Sequence, residues 1–386
     1  MTSVDFAAHR EKFPIFAERL YFASQCMGPL LAEGMRDLAE YVSARQLHSR
    51  ALGAWLVRIE EVTALIERLL GAPSGSVALR DSATACQAAI ASSLHPVGKR
   101  NRILVSALDF HSSLHLWCAQ EQRGFEIVVV PPAADGFSVN PADVVSRIDE
   151  RVLAVAISTV SRNSALLDTT SVVAAARAAG ALTILDAYQA VGVLPLDVQT
   201  IGADVLVGGT LKWLSGETGL GFMYVRPELA ARLEPAYPGW FGHSEIHAFV
   251  HTHAFIDRYA PMPGARRFQQ GTPAMAPIYG ARAGLKFLLE VGAAAMRERN
   301  SLLTERMYVQ CLASGFDVRS PRPSAERAGG ICLALPDPEA VVEALAKEGI
   351  DVDQRRQTLL RLAPHPCATL DECDHVVATL RKVLTR

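Results

Sequence analysis

Lys212 stands in the run Gly208-Gly209-Thr210-Leu211-Lys212-Trp213-Leu214-Ser215-Gly216, after an apolar stretch and among small residues. A lysine so placed can form a Schiff base with a cofactor aldehyde. Upstream, Thr183-Ile184-Leu185-Asp186-Ala187-Tyr188-Gln189 reads as a strand closing on an acid, and a carboxylate there can keep a pyridinium nitrogen protonated. Neither residue is informative alone, since a lysine in a glycine-rich loop is usually a solvated surface cation. The pairing points to pyridoxal phosphate, with Lys212 and Asp186 as the catalytic pair.

A cofactor phosphate needs backbone N–H groups at a helix N-terminus and a hydroxyl or two. Arg80-Asp81-Ser82-Ala83-Thr84-Ala85-Cys86-Gln87 follows an apolar run and opens an apolar helix, which is the right context. A plain Ser/Thr N-cap is the alternative for this stretch. A free amino acid, the substrate class this cofactor implies, needs its carboxylate fixed by a planar bidentate donor. Arg361, in Leu360-Arg361-Leu362-Ala363-Pro364-His365-Pro366, fits, because an unpaired charge on an apolar strand would be costly.

Positioning these residues falls to elements that alternate in type. Short runs rich in Val, Ile and Leu alternate with helical patterns through the first two thirds, which predicts an α/β fold with a parallel sheet covered on both faces. Strands are expected near 76–80, 102–106, 125–130, 152–158, 181–186, 204–208 and 219–225. Helices are expected over 31–51 and 54–70, with Gly71 as a C-cap, and over 277–289 and 293–313. Beyond Pro321-Arg322-Pro323 the pattern changes to a small α+β domain. The expected division is an N-terminal segment 1–50 packing with the small domain, a large cofactor-binding domain 51–275, and a small C-terminal domain 276–386.

Composition narrows the partners. The chain has 386 residues, half of them hydrophobic and a fifth charged, with a formal net charge of −2. No basic stripe is available for a phosphate backbone, so nucleic acid is excluded. No stretch of about 18 uncharged apolar residues is present and the N-terminus lacks a targeting pattern, so no membrane association and a cytoplasmic location are expected. The seven cysteines include no Cys-x-x-Cys pair, which argues against a disulfide framework or a bound metal.

The segments Leu185 to Gly192, Leu196-Asp197, Ala203 to Leu206, Lys212 and Gly219 to Val225 together resemble the core signature of class V aminotransferase relatives. That group includes cysteine desulfurases, isopenicillin N epimerase-like proteins and kynureninases. The resemblance implies the fold type I architecture of pyridoxal phosphate enzymes: a mostly parallel seven-stranded sheet in a large domain plus a small α+β domain. It implies phosphate contacts from Ala83, Thr84 and Thr210, and a glutamine, Gln189, bonded to the ring's phenolic oxygen. Phe110 takes the place of the ring that stacks on the pyridine, with His111 as the alternative. Pro238-Gly239-Trp240-Phe241-Gly242-His243 and Leu360 to Pro366 are similar to kynureninase-like sequences. There Trp240 and Thr272 would reach the phosphate of the neighbouring subunit, which implies a homodimer, and Arg361 would clamp the substrate carboxylate.

The resemblance leaves the reaction branch open. Desulfurases carry a nucleophilic cysteine on a loop before the carboxylate-binding arginine, and Asp351 to Thr358 contains none. The kynureninase Ser-Asn-Pro-Pro pocket is replaced by Gln-Gly-Thr-Pro, and its N-terminal turn by Ser24-Gln25-Cys26-Met27-Gly28. The resulting expectation is a lyase or hydrolase acting at the β-carbon of an L-amino acid, by carbon-carbon cleavage or by elimination, including of a carbon-sulfur substrate. The alternatives are a class V aminotransferase or epimerase and, last, a cofactor-binding protein without catalysis.

Overall fold

The computed structural model describes residues 4–46, 51–245, 259–355 and 358–385. Its centre is a seven-stranded sheet. The strands are β1 Val77–Arg80, β2 Arg102–Ser106, β3 Glu126–Val130, β4 Val152–Ser158, β5 Leu182–Asp186, β6 Val205–Gly209 and β7 Gly221–Val225. Their order is β1-β7-β6-β5-β4-β2-β3, parallel from β6 to β3, with β7 antiparallel to both its neighbours.

The strands are short continuous apolar runs because both faces are covered. Alternate side chains diverge: Ile103, Ala154, Ile184 and Val205 enter one core, whereas Leu104, Val155 and Leu185 enter another on the opposite face. Helices α1 Ala83–Ser92, α2 His111–Cys118 and α3 Thr169–Ala179 lie between consecutive strands. In open sheets of this kind, ligands gather beyond the carboxyl ends of the strands. Asp186 is the last residue of β5, and Lys212 lies three residues past the end of β6 at the same edge.

Two long helices, Met275–Val291 and Ala293–Ala313, lead away from the sheet. The first packs against Ala32–Arg45 and Ala51–Leu69, and Asp37, buried between them, is held by Arg282 and Arg58. The second leads into a four-stranded sheet ordered Asp353–Arg355, Leu359–Leu362, Ile331–Ala334, Asp317–Val318, with its own apolar core. The expected helix over 31–51 ends at Arg45, and residues 47–50 lie outside the described residues. The expected helix over 54–70 starts earlier, at Ala51.

The N-terminal residues join the C-terminal part. Leu20–Tyr21 pairs in parallel with Ile350–Asp351, Arg19 bonds Asp351, and Arg10 bonds Glu372. From there the chain runs through a bridge at Ala23 to Gly28, whose amide donates to Leu211 O at 2.7 Å. Among the described residues no helix is long and apolar enough to cross a membrane.

Candidate active site

A cavity of about 360 Å³ opens at the carboxyl edge of the sheet. Its wall brings together Ala83, Thr84, Phe110, Asp186, Gln189 and Lys212, which the sequence singles out from four separate segments.

Ala83 and Thr84 begin α1, so their amides have no intrahelical acceptor. Ser82 is the N-cap and accepts from Ala85 N at 3.1 Å; the N-cap alternative therefore also holds, one residue upstream of the expected donors. Strand β7 lies tight against this turn. A Cβ on Gly221 would come within 2.3 Å of the Ser82 carbonyl carbon, so only glycine lets the strand pass. Opposite, Lys212 Nζ sits 4.5 Å from the Tyr188 ring centre and 5.8 Å from that of Phe110. Burial drops its pKa to about 8, against an opposing pull from Asp186.

Asp186 is held by three donors: Tyr188 N at 2.9 Å on one oxygen, and Gln87 Nε2 at 3.1 Å and Ser113 Oγ at 3.3 Å on the other. Gln87 is itself oriented by Trp117 Nε1, which donates to Oε1 at 2.8 Å. Burial raises the Asp186 pKa, and these hydrogen bonds and Lys212 oppose the rise. A cation placed against this carboxylate would complete the reversal. The donor set suits pyridoxal phosphate: free helix amides for an anion, a poised amine for an aldehyde, and an oriented carboxylate for a ring cation.

Of the remaining expected residues, Phe110 and Gln189 share this wall and the others lie off it. Phe110 faces the cavity, whereas the adjacent His111 accepts from Arg162 Nη1 at 3.3 Å. Gln189 donates to Gln25 O at 3.1 Å and accepts from Trp213 Nε1 at 3.3 Å. Thr210 is fully buried off the wall, its hydroxyl on Glu217 O at 2.9 Å. Trp240 packs edge-on to Phe241, and Thr272 lines a separate, smaller recess with Arg80 and Gln270; neither reaches the Lys212 cavity of its own chain. Arg361, the expected carboxylate clamp, is not on the cavity wall: it is 1% exposed and ion-paired with Asp353, and it also donates to Arg162 O at 3.0 Å. The antiparallel register that sets Asp353 opposite Arg361 supplies the partner. Arg355, two residues along that strand, lines the cavity in its place.

Three residues of the cavity wall, and Gln87 behind Asp186, were not legible as such. Gln87 and Ser113 look like polar surface positions of their helices, and Arg162 like a loop cation. Cys26 looks like a core thiol but lies on the wall. The one available signal was for Gln87, one helical turn beyond the phosphate-type turn and so on the same face.

The aminotransferase class-V family matches residues 31–367. An uncharacterized aminotransferase of Bacillus subtilis, YcbU, is 29% identical over 96% of this chain and 95% of its own. A kynureninase of Pseudomonas fluorescens is 24% identical over 98% of this chain and 92% of its own. Among solved structures, an apo cysteine desulfurase from Thermococcus onnurineus NA1 superposes with a TM-score of 0.88 at 20% identity, covering 100% of both chains. A C-DES mutant with glycine covalently linked to its PLP cofactor gives 0.85 at 18% identity, covering 96% of this chain and 98% of that one. Both structures share the fold.

Proposed function

This chain belongs to the class V aminotransferase family of pyridoxal phosphate enzymes, and on that premise we propose that it cleaves or eliminates at the β-carbon of an L-amino acid. The observation that carries the reading is the convergence of Lys212, Asp186, Ala83 and Thr84 on one cavity. When bound, the cofactor supplies an aldehyde for the substrate amine and a cationic ring that takes up electron density from the α-carbon.

In this proposal the amides of Ala83 and Thr84 would hold the phosphate and Phe110 would pack on the ring. Lys212 Nζ, whose unprotonated fraction is enlarged by burial, would be the amine that holds the cofactor and the base that moves the α-proton. Asp186 would pair with the ring nitrogen's positive charge, its orientation fixed by Tyr188, Ser113 and Gln87. Arg355 on the wall and Arg361 behind it form the positive edge for the substrate carboxylate; both disfavour the charged form of Lys212, so both act on the same space. Trp240 and Thr272, outside the cavity of their own chain, are assigned to the phosphate of a second copy in a homodimer. Gln189 and Thr210 support the loops that carry these groups.

The β-carbon reading is supported by the kynureninase relatives and by the segments around Trp240 and Arg361. Two measurements test it. Lys212→Ala is expected to abolish turnover and the absorbance of the captured cofactor. The wild-type enzyme is expected to form pyruvate or alanine from its substrate without a keto-acid acceptor; strict dependence on an acceptor assigns transamination instead.

A further inference from the structure

We propose that the substrate carries a second carboxylate in its side chain and that Arg162 holds it, an inference that rests on the amino-acid site described above. Arg162 is 7% exposed and lies on the cavity wall. Among the described residues it makes no ion pair, and its buried Nε has no hydrogen-bond partner. Its remaining contacts are long: 3.5 Å to Ala107 O, 3.4 Å to Asp109 O and 3.3 Å to His111 Nε2. The carboxylate of Asp109 is taken by the amides of Ser106 and Ser158, each at 2.8 Å.

Other buried arginines are treated differently. Arg58 is paired with Asp37, Glu40 and Glu61, Arg327 with Glu305, and Arg361 with Asp353. Arg267, which also makes no ion pair among the described residues, sits away from this cavity on the carbonyls of Ala231 and Leu233. A buried guanidinium without a counter-ion is costly, and one that faces a ligand cavity is compensated by an anion from the ligand. The cofactor phosphate is served by the α1 amides and the α-carboxylate by the Arg355 and Arg361 edge. Arg162 is then a surplus cation, and a side-chain carboxylate is the matching group.

The test uses the holoenzyme. L-Aspartate and L-glutamate are compared with L-asparagine and L-glutamine by the affinity read from shifts of cofactor absorbance, and succinate with propionate by calorimetry. The expected acid-to-amide ratio of affinities is at least about a hundredfold, with succinate binding tighter than propionate. Arg162→Gln is expected to collapse that ratio by at least about tenfold, which loss of a merely structural contact would not do. Amides that bind as tightly as acids overturn the inference, as does a ratio that Arg162→Gln leaves unchanged. If neutral amino acids shift the absorbance and acidic ones do not, only this inference fails. If no amino acid shifts the absorbance, the amino-acid site itself fails. The wild-type comparisons and the succinate measurement stand even should the variant not fold.

Discussion

Lys212 must be both buried and reactive, and the same desolvation provides both. The ordinary lysine value is 10.5, and in this cavity it falls to about 8. Only the neutral amine attacks an aldehyde, so below that value the reactive fraction shrinks about tenfold per pH unit. The rate of cofactor capture by the apoenzyme is therefore expected to climb with pH and level off above about pH 8. Stopped-flow absorbance checks this; a rate still rising steeply past about pH 9 would show an amine of ordinary basicity. Lys212, Asp186 and the Ala83-Thr84 turn were readable in the sequence because each ends an apolar strand or follows one by a few residues, so chain order alone puts them at one sheet edge. Gln87, Trp117 and Arg162 were not, because their roles depend on which atoms lie opposite. The Trp117–Gln87–Asp186 relay joins three segments that share no local pattern.

At the level of elements, all seven strands of the large sheet were legible within a residue or two, since burial on both faces demands unbroken Val, Ile and Leu runs. The pieces that were missed are two or three residues long, such as Leu20–Tyr21 and Asp317–Val318, and take their pairing from tertiary contacts. One of these short pieces positions the site. The pairing of Leu20–Tyr21 with Ile350–Asp351 delivers the turn 24–28 onto the Lys212 loop, where a Cβ on Gly28 would lie 1.8 Å from Lys212 O. The contact is backbone on backbone, so no side chain can rotate to relieve it. Gly28→Ala is expected to lower stability by about 1–3 kcal/mol and to weaken cofactor affinity through the displaced loop. Denaturant unfolding and a cofactor titration check both. A variant with unchanged affinity would mean that the N-terminal turn packs on the loop without setting its position.

At the level of the whole molecule, one chain encloses the amine, the acid and the helix amides but leaves two proposed phosphate contacts outside. Trp240 and Thr272 lie beyond the cavity wall, in segments joined by Phe241 N to Gln270 O at 3.0 Å. A single copy cannot fold them back onto its own Lys212 without breaking that packing, since a Cβ even on Gly239 would come within 2.2 Å of the Gln270 backbone. A second copy related by a two-fold axis can offer the same surface reciprocally. Lys212→Ala and Trp240→Ala should each be defective, but for different reasons: the first lacks its own amine, the second its contribution to the partner. In a mixed dimer, the subunit that keeps Lys212 receives an intact Trp240 from its partner, so one of the two sites is complete. Random exchange makes about half of the dimers hybrid, and about a quarter of the wild-type activity should return on mixing. Mixed variants that stay as inactive as either alone would place Trp240 within its own subunit's chemistry or outside it altogether.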